Sequence, residues 1–187
     1  MNEFRLADIS FAVREAELTG YLITPNYFVW SVRVAAVPRR VLSQSQEIWS
    51  PCAIVQDIPG IQKRAAAGSW KSLLPLESEW IEHEETAFSV FGESYPITNG
   101  RLVISFTNAG ALHIELTGKT CAQFDQSSGT VAPFNISTGG NFGGIRSFTS
   151  DEALARRHVS DFVAVDDLEF VTRVGMFFFL PRTDAQI

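Results

Sequence analysis

The amino-acid sequence predicts a mainly β protein, in the form of an antiparallel β-sandwich or barrel-like sheet with two short helices. In several segments apolar side chains alternate with polar ones, which is the period of a strand with one buried face. These segments follow one another in pairs with few helical patterns between them, and such an order favours antiparallel pairing. The 187 residues show no internal repeat and no clear linker, so a single domain over residues 1–187 is expected.

The clearest prediction is a β-hairpin within residues 101–124. Apolar residues alternate with others over 102–106 and again over 112–116. Residues 108–110, Asn-Ala-Gly, separate the two runs, and Asn and Gly accept the positive φ of a tight turn. An isolated hairpin is marginally stable in water, so other strands must cover its apolar face.

Strands are also predicted over residues 6–18 and 27–37, with a turn at Thr24-Pro25-Asn26 between them. Four residues of the second strand define its apolar face: Phe28, Trp30, Val32 and Val34. The following part, which prolines interrupt, predicts a short strand over 52–58 and a helix over 61–74, where three alanines favour helix. A strand over 77–90 and a loop over 92–100 complete the first half of the chain.

Residues 125–148 are small, polar and rich in glycine, which predicts a long loop or short strand pieces. A helix is expected over 150–158, because the preceding Thr-Ser-Asp-Glu has the spacing of a capping box. Strands are predicted over 159–165 and 170–180, with Asp166-Asp167 as the turn. The run 174–180 is apolar without alternation, so this strand is expected at the centre of the sheet, covered on both faces.

Composition excludes several classes of function. The net charge is −6, from 21 acidic and 15 basic residues, which argues against nucleic-acid binding because clustered bases must neutralise phosphates. No apolar run is long enough to cross a membrane, and the first ten residues lack a secretory signal, so a soluble, cytoplasmic protein without a membrane partner is expected. Cys52 and Cys121 are too few for a disulfide framework, and two ordinary thiols are favoured.

Charge is distributed unevenly along the chain. Residues 31–76 contain six bases and two acids, whereas 77–93 contain six glutamates and no base. An acidic block of this kind can orient a basic partner protein. The alternative, which is the more common one, is a solvated surface whose opposite charges meet and cancel in the fold.

No catalytic, metal-binding or cofactor-binding residue is predicted. The sequence contains no G-x-S-x-G, H-x-H, H-E-x-x-H or C-x-x-C motif. One catalytic group of an imidazole, an acid and a thiol can be considered, namely His113, Glu115 and Cys121. A cysteine within an apolar strand is, however, usually an inert core residue. The pairs His83–Glu85 and His113–Glu115 would form a metal site only if the fold brought them together.

The leading functional hypothesis is a non-enzymatic protein-binding domain, such as an inhibitor or neutralising partner of another protein. The acidic block favours a partner protein with a basic surface. The predicted partner-binding residues are Glu77, Glu79, Trp80, Glu82, Glu84, Glu85, Asn141 and Phe142. The alternative is a β-barrel or sandwich that binds a small ligand or carbohydrate through Trp49, Trp70, Trp80 and the loop around Asn141. A hydrolase-like enzyme is the third hypothesis. The sequence does not predict an oligomeric state.

Overall fold

A computed structural model describes residues 2–41, 48–59, 68–90, 92–121 and 131–182 of the chain. These ranges contain fifteen strands, one α-helix and one short 3₁₀ helix, Trp70–Leu73. The strands are β1 (Glu3–Leu6), β2 (Ile9–Phe11), β3 (Val13–Thr24), β4 (Tyr27–Ala36), β5 (Arg39–Arg40), β6 (Ile48–Trp49), β7 (Cys52–Val55), β8 (Leu76–Trp80), β9 (Thr86–Val90), β10 (Glu93–Tyr95), β11 (Ile97–Phe106), β12 (Leu112–Thr120), β13 (Ala132–Ser147), β14 (Leu168–Arg173) and β15 (Met176–Pro181). The α-helix, α1, spans Glu152–Val159.

Thirteen strands form one sheet, whose main path runs β10-β9-β7-β4-β3-β13-β12-β11-β8. Strands β1, β2, β14 and β15 join it from the side, and β5 and β6 form a separate ribbon. Strands β3 and β13 run parallel, whereas the other named strand pairs are antiparallel. The mainly β prediction is therefore confirmed, but its purely antiparallel form is wrong. More than a hundred residues separate the two parallel strands, so no tight turn dictates their relative direction.

The sheet curls so that its two ends approach each other. Strand β8 ends one side of the path and β9 lies near the other, yet only residues 81–85 join them, a length of chain that reaches about 20 Å. The Thr86 hydroxyl at the start of β9 donates to the carbonyl of Ile97 on β11 at 3.3 Å across this junction. The Phe88 ring of β9 also meets the Phe134 ring of β13, with centroids 4.9 Å apart, although three strands separate β9 from β13 along the path.

The interior of the curled sheet is a core of apolar side chains. The predicted hairpin is confirmed as β11 and β12, and Leu102, Ile104, Ile114 and Leu116 are completely buried on its inner face. Phe106, at the end of β11, remains 38% exposed. Aromatic rings in the interior form two groups of neighbours. One group is Phe4, Phe11, Phe88 and Phe134, and the other is Phe28, Trp30, Trp70, Phe142 and Phe162.

The largest correction concerns β13, the longest strand, which occupies a region predicted as a loop. Its first part pairs with β12 and β1, and its second part pairs with β3 and β15. The glycines are needed because neighbours lie close: a Cβ at Gly140 would be 2.6 Å from Ile114, and one at Gly144, whose φ is +88°, would be 2.5 Å from Leu180. The glycine content thus reflects close packing in a strand and not a loop. Residues 125–130 of the predicted loop lie outside the described residues.

The C-terminal apolar run is also placed differently. The strand predicted over 170–180 divides into β14 and β15, which are joined by a turn at Val174 and Gly175, whose φ angles are +50° and +73°. The run 174–180 forms this turn and most of β15, which lies between β13 and β14, so the prediction of an inner strand is confirmed. The expected cover on both faces is wrong, because only Phe179 of β15 is buried. Residues 159–165, also predicted as a strand, form the end of α1 and a series of turns. Their apolar side chains, Phe162, Val163 and Val165, are buried without joining a ladder.

The remaining predictions are mostly confirmed with changed boundaries. Strands occupy much of 6–18, 27–37 and 52–58, whereas 77–90 divides into β8 and β9, and the loop predicted over 92–100 contains β10 and the start of β11. The helix over 150–158 is confirmed as α1. In the helix predicted over 61–74, residues 61–67 lie outside the described residues, and the remainder contains only the short 3₁₀ helix. One α-helix is therefore described instead of two. Among the described residues no helix has the length and apolar character to span a membrane.

Candidate functional site

The first part of the predicted acidic block is partly neutralised within the sheet. Glu77 and Glu79 lie on β8, and Arg101 on the adjacent β11 contacts both carboxylates, with Nε 3.2 Å from Oε1 of Glu79. The hydrogen bond to Glu77 is the main cause that raises the pKa of the Arg101 guanidinium. On β8, therefore, acidic and basic residues that are distant in the sequence meet, and one of the two negative charges is compensated, which agrees in part with the alternative interpretation.

The second part of the block forms an exposed turn. Residues 81–85, named here the acidic turn, carry Glu82, Glu84 and Glu85, and no described cation forms an ion pair with these three carboxylates. The turn is held firmly, because His83 Nε2 lies 3.0 Å from the carbonyl oxygen of Asp57 and the Thr86 hydroxyl donates to the His83 carbonyl at 2.8 Å. An acidic cluster does not by itself identify a ligand, so partner binding at this turn stays a prediction.

Trp80 is placed beside the acidic turn but is largely buried. Its indole N–H donates to the carbonyl of Ile97 at 3.2 Å, and its ring packs directly on the backbone of Gly100. A surface depression of about 480 Å³ adjoins it, lined by residues 79–81 and 99–101. Trp80 therefore supports the turn from beneath, and only a small part of the ring reaches the surface.

Asn141 and Phe142 lie elsewhere on the sheet. The Phe142 ring stacks on Trp70 with centroids 4.0 Å apart and lies 6.3 Å from Trp30, so it forms part of the wall of the core. Asn141 is exposed at the point where β13 begins to pair with β3. Strands β12 and β11 lie between β13 and the acidic residues of β8, so the eight predicted partner-binding residues do not form one surface.

The tryptophans do not provide a surface platform for a sugar. Trp30, Trp49, Trp70 and Trp80 are only 3–8% exposed, and each contributes to the core. All four tryptophans therefore belong to the core and not to the surface. A carbohydrate platform needs an exposed ring face, which none of the four indoles offers.

The histidine, glutamate and cysteine group is not assembled. His113 Nε2 lies 3.3 Å from both Glu115 Oε1 and Ser137 Oγ, whereas Cys121 lies beyond the far end of β12, about 26 Å along the strand. A serine relay requires the acid and the hydroxyl on opposite ring nitrogens, and here both contact the same nitrogen. Within the described ranges, no three His, Cys, Asp or Glu side chains are grouped so that they could hold a metal ion.

Both cysteines are free. Cys52 is half-buried, and its burial raises the pKa of the thiol, an effect that the nearby Arg33 partly opposes. Cys121 is exposed at the end of β12. Arg33 in turn is held by Glu15, whose hydrogen bond raises the pKa of the guanidinium.

A surface that the sequence analysis missed lies where β13 ends. Near its end β13 runs between β3 and β15, and Arg146 pairs with Tyr21 on one side and Phe178 on the other. After Ser147 the chain leaves the sheet, and a depression of about 330 Å³ remains between the ends of β3 and β15. Residues 21–23, 146–148 and 175–177 line this depression, which we name the terminal notch.

The terminal notch combines exposed apolar surface with one cation. Ile23 is 49% exposed and Phe148 is 42% exposed, and the adjacent Val174 at the tip of the β14–β15 hairpin is 96% exposed. Arg146 is exposed, and no carboxylate of the described residues forms an ion pair with it. Exposed apolar residues that are grouped together in this way commonly mark an interaction surface. The only signal for this surface in the sequence is the apolar run 174–180, which was interpreted as core.

Fold and surface together define a curled, mixed β-sheet protein with an apolar notch at the end of its longest strand. Comparison of the chain with protein-family models, with curated proteins and with solved structures finds no match. Any functional assignment therefore depends on the chain's own surface, and above all on the terminal notch.

Proposed function

We propose that the protein is a non-enzymatic protein-binding domain that holds an extended segment of a partner protein in the terminal notch. The segment would carry apolar side chains and a carboxylate. The observation that carries this proposal is the position of Arg146, which forms no ion pair with a described carboxylate, among exposed apolar residues in a depression that continues the line of a strand.

The width of the terminal notch suits one extended chain. Strands β3 and β15 each lie beside β13, so beyond the end of β13 they are separated by two strand spacings, about 10 Å. The pairing of β3 with β13 ends at Tyr21 and Arg146, and β3 continues to Thr24. A segment that enters the notch would therefore meet unpaired backbone groups of β3 and could continue the ladder, as in other cases of strand addition.

Side chains would supply the rest of the binding energy. Apolar area removed from water contributes about 25 cal/mol per Å², and Ile23 and Phe148 both have substantial area to lose. A carboxylate on the segment would meet Arg146, whose planar guanidinium binds carboxylates with two parallel hydrogen bonds. The apolar residues would thus give affinity, and the arginine would select an acidic sequence.

A displayed library of random octapeptides tests this proposal. Selection against the wild-type protein should enrich peptides that place Asp or Glu near Leu, Ile or Phe. Synthetic copies of these peptides should bind at least about tenfold more weakly to Arg146→Glu and to Phe148→Asp, as measured by fluorescence anisotropy. Ile81→Asp is the matched control, because Ile81 is 76% exposed but lies on the acidic turn. The affinity of this variant for the selected peptides should equal that of the wild type.

Three results would contradict the proposal. The first is a selection that enriches no peptide above the level of the empty support. The second is enrichment of peptides that bind Arg146→Glu and Phe148→Asp as tightly as the wild type. Enrichment of Lys- and Arg-rich peptides whose binding fails in a Glu82→Lys, Glu84→Lys variant would move the site to the acidic turn, and would also reject the terminal notch.

A further inference from the structure

The outer edge of β14 is open in the part of the chain that the structure describes. This strand pairs with β15 along one side, and no strand within the described ranges pairs with the other. An edge of this kind presents a row of unpaired backbone N–H and C=O groups to its surroundings. Its residues are Leu168–Arg173, of which only Leu168 is buried.

The turn geometry shows which backbone groups point outward. Val174 and Gly175 form a two-residue turn with both φ angles positive, and the pair that closes such a turn, Arg173 and Met176, exchanges both of its hydrogen bonds. Because hydrogen-bonded pairs alternate along an antiparallel ladder, every second residue of β14 bonds to β15 and the others do not. The N–H and C=O groups of Phe170 and Thr172 therefore point to the open edge.

The edge is complementary to itself. In an antiparallel pairing of two β14 strands with Val171 on the two-fold axis, Phe170 would lie opposite Thr172 of the partner subunit. Both of these residues have outward backbone groups, so the hydrogen bonds match. Glu169 would then lie opposite Arg173 of the partner subunit, and the same ion pair would repeat on the other side of the axis.

Other registers lose this match. A pairing centred on Phe170 would place Glu169 opposite Val171 of the partner subunit. A pairing centred on Thr172 would place Arg173 opposite Val171 of the partner subunit, so in both cases the Glu169–Arg173 ion pair is lost. If one strand slid by a single residue, Phe170 would lie opposite Val171 of the partner subunit. The outward N–H and C=O groups of one strand would then face residues whose own groups point toward β15. Charge and hydrogen bonding together therefore select the register centred on Val171.

The outer face of the hairpin supports the same pairing. Val171, Met176, Phe178 and Leu180 lie on the same face as Glu169 and Arg173, and all four are half-buried. Joining two hairpins edge to edge would place these apolar residues in one continuous strip across the axis, with the two Val171 side chains adjacent. Direct cross-strand neighbours of this kind stabilise a sheet.

We propose that the protein forms a symmetric dimer, in which two copies pair antiparallel through β14 with Val171 at the axis. This inference is independent of the proposed function, because the residues that decide it, Glu169 and Arg173, do not line the terminal notch. The competing explanation is that both charges merely protect the edge from aggregation, as charged residues often do on exposed strands.

A charge-swap experiment distinguishes the two explanations. Sedimentation equilibrium over a roughly hundred-fold concentration range should show a monomer–dimer equilibrium for the wild type. Glu169→Arg and Arg173→Glu should each weaken dimerisation at least about tenfold, because each places like charges opposite each other. The double variant restores opposite charges and should restore the wild-type dissociation constant.

Backbone blocking provides a second readout. Thr172→Pro removes an N–H that points to the open edge and leaves the ladder with β15 intact, so this variant should be monomeric with an unchanged circular dichroism spectrum. Arg146→Glu should dimerise normally even if it no longer binds peptides, so the two proposals fail separately.

The dimer is rejected if the wild type sediments as a 20.7 kDa monomer at every concentration. It is equally rejected if association occurs but neither single charge variant weakens it, or if the double variant stays as weak as the single ones.

Discussion

At the scale of single residues, Val174 combines high exposure with a positive φ. Its side chain is 96% exposed and its φ is +50°, a conformation that β-branched residues rarely adopt. Strain of this kind persists only where the surrounding structure imposes it, and it is concentrated at functional sites. Its place beside the terminal notch is consistent with a binding role for that region.

Replacement of Val174 by Asn should stabilise the protein by about 1 kcal/mol, because Asn tolerates positive φ. The free energy of unfolding in urea measures the change. Val131→Asn serves as control, since Val131 is 48% exposed without positive φ, and its stability should change little. Equal effects of the two substitutions would show that the turn is not strained.

Gly100 is the residue on which the packing of Trp80 depends. A Cβ at this position would lie 2.2 Å from the indole ring, and Gly100→Ala should therefore destabilise the protein by about 3 kcal/mol. Gly110→Ala is the matched control: nothing lies within 4 Å, and only its φ of +77° opposes the change. That variant should lose about 1 kcal/mol in the same denaturation experiment. A loss at Gly100 no larger than at Gly110 would disprove the close contact.

Cys52 predicts a pH dependence of stability. Burial raises the pKa of its thiol above the ordinary value of 9.0, so the folded protein retains this proton at a pH where the unfolded chain releases it. The contribution of this thiol to stability is therefore complete below pH 9.0 and declines as the pH rises through the folded pKa. The free energy of unfolding should fall more steeply above pH 9.0 for the wild type than for Cys52→Ala. Parallel curves would contradict a buried, protonated thiol.

At the scale of elements, α1 shows how a correct prediction can have a different cause. The capping-box interpretation assigns the cap to the hydroxyl before the helix, and Thr149 does accept a hydrogen bond, but from the amide of Asp151. Asp151 itself is the N-cap, and its carboxylate accepts from the amide of Leu154 at 3.0 Å. Farther along, Arg156 donates to the carbonyls of Val165 and Leu168, which fixes the helix to β14.

Asp151→Ala should lower the stability by about 1 kcal/mol through the loss of this cap. Ser150→Ala, one residue earlier, should leave it unchanged, because the cap does not involve that hydroxyl. Thermal unfolding followed by circular dichroism gives both values. The assignment of the cap fails if the two substitutions are equally costly.

Strand β13 shows why an element can be missed. Local composition at 139–144, with four glycines among six residues, resembles a loop. The strand exists because β12, β1, β3 and β15 supply its hydrogen bonds, and because only glycine leaves room for the side chains of Ile114 and Leu180. No window of the sequence contains these neighbours.

At the scale of the whole molecule, closure of the sheet is the property to test. In a flat sheet β9 and β13 would lie about 19 Å apart, whereas the rings of Phe88 and Phe134 are in contact inside the curled sheet.

A double-mutant cycle with Phe88→Leu and Phe134→Leu should therefore give a coupling energy of about 1 kcal/mol. Phe88 with the exposed Phe148 provides the control pair, for which the two changes should simply add. Additive effects for Phe88 and Phe134 would mean that the sheet is not closed in solution.

The sequence by itself determined the mainly β class, the β11–β12 hairpin, the turn before β4 and the presence of α1. These features depend on alternation, turn residues and capping, which operate between residues close in the chain. Only the tertiary structure decided the parallel partner of β13, the partial neutralisation of Glu77 and Glu79 by Arg101, the open edge of β14 and the terminal notch. Each of these depends on which distant segments become neighbours, and a local pattern shows only that a face is apolar, not what will cover it.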